Sequence, residues 1–519
     1  MRLSRRDILG GAAALAAAPL VARAAPSTDL DVAIVGGGVS GVYAAWRLRQ
    51  EQPHLRIGLF EASERIGGRL HSVAFPQAPH LVAEAGGMRF LKQHQHVFGL
   101  VSALGLPSRG YPIDRDFDRM MLRGANFSIA DINAHRARFP YKVPLSDQPP
   151  SVDALNRSIA HFLGKDATVT PAQWLKIRAQ LRYRGRLLRD WPSRAILREG
   201  MSAEQFALTA DSSGYDDWLE GETGLVQADY HFAPEDDGAY LTIAGGYQRL
   251  PLTLAAQAAK SGARIATRTR LAGLIPEGPH YRLTLQDARQ STLTASRVIL
   301  ALPRRALERI DDFPESRADR RFASLIASVT PIPACKSLLL YKRPWWREHG
   351  IAEGRSITDM PARQFYCLGS ETTRLPSEDT DGYGVLMAYS DMNNVATWRH
   401  LVPHADPSGF TRLAGDAALT REVHREAALV LGKTDAVPLA AMFQDWSVDP
   451  FGGGWHYYAL GHDGLADSAA MLKPLPGRAL CVCGEAYSLA QGWVEGALER
   501  AETMLQRHFG LHKPAWLPT

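Results

Sequence analysis

The chain has few cysteines for its length and no disulfide pattern. Its 519 residues include only four, at positions 335, 367, 481 and 483. None belongs to a Cys-x-x-Cys pair, so neither a disulfide framework nor a zinc site is expected. A chain of this length can bury a large core without cross-links, and the four thiols are expected to be buried or free.

Excess charge, repeats and membrane-spanning runs are also lacking. The formal net charge is only +5, and much of it lies at the N-terminus, so no nucleic-acid partner is expected. No internal repeat or low-complexity tract occurs. No apolar run is long enough for a membrane span. The composition, 45% hydrophobic and 22% charged, is that of an ordinary globular protein.

The N-terminus carries the pattern of an export signal. Arg5 and Arg6 precede an apolar run over residues 10–21, and Ala22-Arg23-Ala24 follows as a small-residue cleavage site. This arrangement predicts a twin-arginine signal peptide over residues 1–24, with export by that machinery to the periplasm or the medium. A retained amphipathic anchor is the alternative.

A β-α-β unit follows the leader. A short apolar strand over residues 31–35 leads into Gly36-Gly37-Gly38-Val39-Ser40-Gly41, which matches G-x-G-x-x-G and opens a helix. This turn allows a pyrophosphate to approach the helix N-terminus. Glu61 follows a second strand at 57–60 and lies 20 residues beyond Gly41. It is placed to accept hydrogen bonds from the ribose hydroxyls. The unit predicts dinucleotide binding.

Strand signals return in the middle and at the end of the chain. Residues 298–303 and 479–483 read as buried strands, whereas 93–240 has no clear strand signal after its start. A helix is expected over 171–190, where an arginine run forms a solvated face or, alternatively, a surface that attracts anions. Three strand-rich segments indicate one nucleotide domain assembled from separated pieces.

Two further motifs carry a family resemblance. The stretch Glu61-Ala62-Ser-Glu-Arg-Ile-Gly-Gly68-Arg69 resembles the second signature of the flavin amine oxidase superfamily, and Gly484-Glu485 resembles its late motif. The resemblance implies FAD, with Arg69 near phosphate, Glu485 on the ribityl chain and Leu271 against the cofactor. Residues 486–492 contain no cysteine, so the FAD is expected to be non-covalent.

The resemblance also implies an α/β architecture with three parts. A discontinuous Rossmann-like FAD-binding domain is expected over residues 28–70, 240–305 and 476–515. A mixed-sheet substrate-binding domain is expected over 71–129 and 306–475, and a helical insertion over 130–239.

The segment Glu84-Ala85-Gly86-Gly87-Met88-Arg89 resembles the G-x-M-R motif of L-amino acid oxidases. In that family the arginine grips the substrate carboxylate, while Gly86, Gly87 and Met88 lie beside the cofactor. A planar guanidinium suits this task because it binds a carboxylate with two charge-assisted hydrogen bonds. The alternative is that Arg89 pairs with Glu84 or with the FAD phosphates.

Other positions match the same family individually. Tyr389 would donate its hydroxyl to the carboxylate, and Lys336 would hold a water near flavin N5. Gly492, Trp493 and Val494 would form the wall facing the amine and the cofactor, and Trp446 would pack by the flavin. His231 lies near the family's active-site histidine, but that alignment needs a gap. Ordinary core or surface roles remain alternatives for each.

The side-chain pocket departs from the family pattern. Asp391 and Trp455 fall where the animal enzymes have apolar residues. A buried carboxylate without a partner is costly, which favours basic or long substrates. Alternatively, Asp391 caps a helix beginning at Met392. Aromatic substrates are a further alternative, because Trp455 would add a flat apolar wall.

The resemblance implies FAD-dependent oxidation of an L-amino acid by O2, giving a 2-oxo acid, ammonia and hydrogen peroxide. Alternatives are an amine or polyamine oxidase, an oxidative decarboxylase (a monooxygenase) and a non-catalytic FAD-binding protein. A homodimer is compatible with the sequence.

Overall fold

A computed structural model describes residues 30–111, 119–128, 139–143, 171–217, 221–231, 240–351, 353–368, 382–402, 404 and 406–518. The expected export signal and much of the expected helical insertion lie outside these ranges. In the described part, no helix combines the length and the apolar character that crossing a membrane requires.

The first large sheet, called here the nucleotide sheet, has seven strands drawn from the start, the middle and the end of the chain. In sheet order its strands are Arg264–Ala266, Ile57–Phe60, Leu30–Val35, Ser291–Leu300, His280–Gln286 and Arg270–Glu277, with Leu480–Val482 also pairing with Ser291–Leu300. The strand Leu30–Val35 is parallel to both of its neighbours.

Both faces of this sheet are buried. Val32 and Ile34 pack into one apolar cluster with the helix Val39–Glu51, whereas Ala33 and Val35 pack into another on the opposite face. Alternate strand residues point to opposite faces, so a short run without polar residues is what such a doubly covered parallel strand requires.

The second large sheet, called here the substrate-side sheet, has eight mostly antiparallel strands. In sheet order they are Phe410–Ala414, Ala440–Asp445, Ala334–Tyr341, Gly384–Asp391, Gln364–Leu368, Gly354–Thr358, Arg119–Leu122 and Ala125–Ser128. The absence of a clear strand signal over 93–240 therefore missed Ser108–Gly110, the last two strands of this sheet, and the short strands Arg182–Tyr183 and Arg186–Leu187.

The described residues also form four smaller sheets. They comprise Ser72–Phe75 with Ala78–Glu84, Phe90–Leu91 with Tyr240–Ile243 and Ser108–Gly110, Val329–Ile332 with Trp455–Tyr458, and Arg182–Tyr183 with Arg186–Leu187.

The remaining helical elements surround the sheets. The α-helices are Gln95–Ala103, Pro171–Ile177, Ser193–Gly200, Ala203–Ser212, Gly224–His231, Arg249–Lys260, Arg304–Glu308, Pro314–Ala318, Arg320–Ala327, Asn394–His400, Ala418–Leu431, Gly464–Met471 and Val494–Phe509. The 3-10 helices are Arg178–Gln180, Leu188–Asp190, Trp345–His349 and Glu485–Tyr487.

The single helix expected over 171–190 was wrong. The α-helix Pro171–Ile177 gives way to a hairpin whose turn contains Gly185, which adopts a positive φ of 79°. Arg178 is not on a solvated face either, because it is buried and pairs with Asp229 and Asp463. Charge periodicity alone could not show that these partners arrive from distant segments.

Candidate active site

A cavity of about 970 Å³ extends from the glycine turn to the substrate-side sheet. It brings most of the predicted site residues together. Those on its walls are Gly36, Gly38, Val39, Ser40, Glu61, Ala62, Gly68, Arg69, Gly86, Gly87, Met88, Arg89, Leu271, Lys336, Tyr389, Trp446, Trp455, Gly484, Glu485, Gly492, Trp493 and Val494.

The glycine turn closes tightly on the nucleotide sheet. Gly36 has a φ of +106°, and a Cβ there would lie 2.4 Å from the carbonyl oxygen of Ala301. Gly41 is absent from the cavity wall, and a Cβ on it would lie 2.0 Å from the carbonyl oxygen of Gly36. These two positions therefore allow the helix Val39–Glu51 to begin directly against the strand, with its first N–H groups at the cavity.

Glu61 lies across this turn. Its Oε2 accepts the backbone N–H of Gly37 at 2.6 Å, and its Oε1 accepts that of Ser63 at 2.8 Å. Each carboxylate oxygen has a second acceptor position, and Glu61 lines the cavity. The arrangement fits the ribose of a dinucleotide cofactor, because a polar acceptor and a floor of glycines lie side by side.

Glu485 organises the next part of the cavity. Its carboxylate accepts hydrogen bonds from Arg69 at 2.6 Å, from the backbone N–H of Gly492 at 2.8 Å and from that of His456 at 3.1 Å. Burial alone would raise its pKa, but Arg69 and His456 hold the pKa of Glu485 at about 2. The carboxylate is therefore charged, and the chain itself supplies the cation.

Trp446 and Lys336 both contact the loop that carries Arg89. The Trp446 indole Nε1 donates to the carbonyl of Ala85 at 2.8 Å. Lys336 Nζ donates to the carbonyls of Gly86 at 2.6 Å and Glu84 at 3.2 Å. Burial lowers the pKa of Lys336 to about 7, although nearby Glu84 opposes the shift. Lys336 lines the cavity, and its Nζ supports the loop that carries Arg89.

Arg89 is surrounded by tyrosines. Its guanidinium lies 4.4 Å from the centre of the Tyr240 ring and 5.9 Å from that of Tyr366, and its Nη1 donates to the Tyr366 hydroxyl at 3.3 Å. Glu84, the alternative ion-pair partner, instead accepts the backbone N–H of Tyr247 and the hydroxyl of Ser72. In the ranges that the structure describes, no carboxylate pairs with Arg89.

Three aromatic rings line the cavity beyond Arg89. Tyr215, Tyr389 and Trp455 meet edge to face, with ring centres 5.5 to 6.2 Å apart. The Trp455 indole Nε1 donates to Asp217 Oδ2 at 2.9 Å, and Asp217 also lies on the wall. This end of the cavity is therefore apolar with one carboxylate at its edge.

Asp391 was expected either to place a carboxylate in the side-chain pocket or to cap the next helix, and both expectations were wrong. Asp391 is fully buried and is absent from the cavity wall. Its carboxylate accepts the backbone N–H groups of Asp216 and Asp217 at 3.1 Å. It does not cap the next helix, which begins at Asn394 after Asn393. Asp391 holds the loop that carries Asp217. The carboxylate on the cavity wall therefore belongs to Asp217 and not to Asp391.

A second acidic side chain lies behind that wall. Glu222 is buried, and its Oε2 has no hydrogen-bond partner among the described residues. Burial raises the pKa of Glu222 well above its usual range, and Asp217 adds to the shift. The raised pKa favours the neutral acid at Glu222, so Asp217 is the carboxylate of this pair that reaches the cavity wall.

His231 ends the helix Gly224–His231. Its side chain lies outside the described residues, so the role expected of it stays a prediction. Sequence reasoning missed Tyr215, Asp217, Tyr240 and Tyr366. Each lies in a segment without a motif. Only the fold places Tyr215 and Asp217 on the cavity wall and brings Tyr240 and Tyr366 against Arg89.

The fold and the cavity together fit a dinucleotide cofactor that lies beside a buried cationic side chain, Arg89. The family model described as flavin containing amine oxidoreductase matches residues 39–504. The chain belongs to that family, so it is an enzyme with a flavin cofactor that oxidises amines or amino acids.

Curated relatives resemble the chain over nearly its whole length. Aplysianin-A from Aplysia kurodai is 26% identical, covering 92% of this chain and 90% of that protein. Achacin from Lissachatina fulica is 26% identical, covering 93% and 94%. An L-amino-acid oxidase from Protobothrops flavoviridis is 24% identical, covering 92% and 88%. The predicted resemblance to L-amino acid oxidases is confirmed.

Wild-type putrescine oxidase bound to putrescine has the same fold, with a TM-score of 0.69 and 18% identity over 94% of this chain and all of that one. The predicted α/β class, with a Rossmann-like FAD domain and a substrate domain, is confirmed.

Proposed function

We propose that the protein is an L-amino acid oxidase with non-covalently bound FAD. It would oxidise the Cα–N bond of an L-amino acid to an imino acid, which water converts to a 2-oxo acid and ammonia. Dioxygen would take up the two electrons and two protons to give hydrogen peroxide.

The observation that carries the proposal is the state of Arg89. It is a cation on a cavity wall whose described partners are tyrosine rings and one tyrosine hydroxyl. An unpaired buried charge is costly, and the carboxylate of an amino acid would remove that cost. A simple amine brings a second positive charge instead. Arg89 therefore favours amino acids over amines.

The other residues have roles that follow from their positions. Tyr389 would add its hydroxyl to the carboxylate contact. The N–H of Gly492 is fixed by Glu485, so its carbonyl would be held for the substrate amine beside Trp493. A bound flavin supplies the two-electron acceptor for the hydride. Tyr215, Tyr389 and Trp455 would exclude water from the reacting carbon.

A preference for basic or long side chains rests on Asp217 rather than on Asp391. Asp217 lies at the cavity wall, buried and bonded to Trp455. An ammonium or guanidinium group would pair with it in a desolvated setting, where such pairs are strong. Trp455 and Tyr215 would contact the aliphatic stem of the same side chain.

The decisive experiment is an anaerobic titration of the flavin-loaded enzyme, monitored by visible absorption, followed by admission of air. L-Lysine, L-arginine and L-phenylalanine should bleach the flavin, and peroxide should form with oxygen. Cadaverine, agmatine and 2-phenylethylamine, which lack only the carboxylate, should react far more slowly. Bleaching by these amines alone would move the protein to the amine oxidases.

The variant Arg89→Ala tests the same point. Removing one partner of a buried charge pair costs about 2–5 kcal/mol, so kcat/KM for the amino acids should fall about a hundredfold or more. The slow amines should be unaffected. Arg425→Ala is the matched control, because this arginine is 55% exposed and pairs only with neighbours on its own helix.

The products separate the oxidase from the oxidative decarboxylase. A 2-oxo acid with peroxide supports the proposal. Carbon dioxide with an amide would indicate a monooxygenase instead.

We also propose that residues 1–24 direct twin-arginine export of the folded, flavin-loaded protein. Replacing Arg5 and Arg6 with lysine should leave flavin-containing precursor inside a bacterial host that has this pathway. Unchanged export of that variant would contradict the proposal.

A further inference from the structure

Tyr240 is a residue of the substrate end that no motif identifies. It begins the strand Tyr240–Ile243, which pairs with Phe90–Leu91 directly after Arg89. Its carbonyl accepts the backbone N–H of Tyr111 at 2.8 Å. The backbone of Tyr240 is therefore fixed from both sides by main-chain hydrogen bonds, which do not depend on its side chain.

The Tyr240 ring contacts two groups of the proposed site. The Arg89 guanidinium lies over the ring, 4.4 Å from its centre. The plane of the Trp493 indole is within 9° of parallel to the ring, at a centre-to-centre distance of 6.4 Å. Tyr240 therefore packs against both Arg89 and Trp493.

This stacking leaves the hydrogen-bonding edge of Arg89 available. A guanidinium over an aromatic ring uses its face for the cation–π contact, whereas a carboxylate binds the N–H groups at its edge. Tyr366 accepts one of those N–H groups. Tyr240 consequently orients the guanidinium plane without competing for the donors that a carboxylate needs.

We propose that Tyr240 is a substrate-positioning residue that fixes the orientation of Arg89 and its separation from Trp493. This inference rests on the proposed function, in which Arg89 binds the carboxylate and Trp493 faces the amine. The carboxylate and the amine of the substrate are attached to the same carbon in an α-amino acid, whereas in a β-amino acid they are one carbon further apart. Tyr240 therefore contributes to selection of α-amino acids.

The test uses flavin-loaded wild type, Tyr240→Phe and Tyr240→Leu. Benzoate serves as an unreactive carboxylate, and its dissociation constant is measured from the perturbation of the flavin spectrum. Tyr240→Leu removes the cation–π contact with Arg89, so it should weaken benzoate binding about tenfold, which corresponds to about 1.4 kcal/mol. Tyr240→Phe keeps the ring and should stay within about twofold of wild type.

Kinetics add a second readout that a general loss of stability would not give. Tyr240→Leu should raise KM for L-phenylalanine more than it lowers kcat, and the loss of kcat/KM should be larger for L-phenylalanine than for 2-phenylethylamine, which has no carboxylate for Arg89 to bind. The preference for L-phenylalanine over β-phenylalanine should also fall. If Tyr240→Leu does not load flavin, Tyr240→Val replaces it, because a β-branched residue suits a strand.

The outcomes separate this inference from the proposed function. Wild type that binds benzoate and oxidises L-amino acids, with Tyr240→Leu matching it within twofold, overturns the role of Tyr240 alone. Wild type that neither binds benzoate nor reacts with L-amino acids overturns both. Failure of the Leu and Val variants alike to load flavin would show that Tyr240 serves cofactor binding or folding, which also overturns the positioning role.

Discussion

Arg69 and Arg89 lie in the same cavity, but only one has a carboxylate partner in the described chain. Arg69 pairs with Glu485 at 2.6 Å, whereas Arg89 is held by tyrosine side chains. The charge of Arg69 is balanced by a carboxylate of the chain itself, without a substrate. The charge of Arg89 is contacted by tyrosine side chains but is not balanced by a carboxylate in the described chain. A comparison of this kind separates a cation that stabilises the fold from one that is arranged for an anionic ligand.

The two ends also differ in the parts that build them. The cofactor end relies on backbone geometry within one short motif, as at Gly36 and Gly41. The substrate end relies on side chains from distant strands and loops, such as Arg89, Asp217 and Tyr389. Substitutions at the cofactor end should therefore act on loading and stability, and those at the substrate end on selectivity.

The largest effect is expected at the glycine turn. Gly41→Ala places a Cβ where only 2.0 Å separates it from the Gly36 carbonyl, so the turn must open. We expect purified protein almost free of flavin, measured as the ratio of visible to ultraviolet absorbance. Gly110→Ala is the control, because a Cβ there meets nothing within 4 Å. Normal flavin content in Gly41→Ala would refute this account of the turn.

The next effect tests whether the Arg69 network is structural. Glu485→Gln leaves the Arg69 cation unpaired, and we expect the free energy of unfolding to fall by about 2–4 kcal/mol at pH 7. The pKa of Glu485 is held at about 2, below its ordinary value of 4.5. The charged carboxylate of Glu485 therefore stabilises the folded protein above pH 4.5, and this contribution is lost as the pH falls toward 2.

Denaturant unfolding of wild type and Glu485→Gln at several pH values measures this dependence. The difference in the free energy of unfolding between wild type and Glu485→Gln should become smaller below pH 4.5. Glu64→Gln is the control, because its ion pair with Arg268 is exposed and should matter little. A difference that is the same at pH 7 and pH 3 would show that the charge of Glu485 is not the cause.

A smaller effect is expected at Asp217. Asp217→Asn removes the charge but keeps an acceptor for Trp455. We expect kcat/KM for L-lysine and L-arginine to fall about tenfold to a hundredfold, with L-phenylalanine and L-leucine nearly unchanged. Asp391→Asn should change stability but not this ratio. Equal losses on all four amino acids would contradict charge pairing with the substrate.

The smallest effect is expected at Tyr366. Tyr366→Phe removes one acceptor from Arg89 but keeps the ring beside it. Such a hydrogen bond contributes about 0.5–1.5 kcal/mol, so KM for L-amino acids should rise about threefold to tenfold with kcat little changed. A loss as large as that of Arg89→Ala would mean that Tyr366 contacts the substrate directly.

The sequence by itself determined the cofactor end, because that chemistry depends on residues close together in the chain. The turn Gly36 to Gly41 and the acceptor Glu61 are recognisable from their spacing, and the late Gly484-Glu485 pair from its resemblance to a family motif. Arg89 was identified in the same way, since its motif is contiguous. The α/β class followed from short apolar strands that return at the start, middle and end of the chain.

Only the tertiary structure decided which carboxylate reaches the cavity and what surrounds Arg89. Asp391 and Asp217 are both acidic residues without a motif, and their roles depend on which one receives the backbone N–H groups of the loop at 216–217. Tyr240 reaches Arg89 by strand pairing across about 150 residues of sequence. Burial and pairing between distant segments are properties of the folded chain, so local patterns do not contain them.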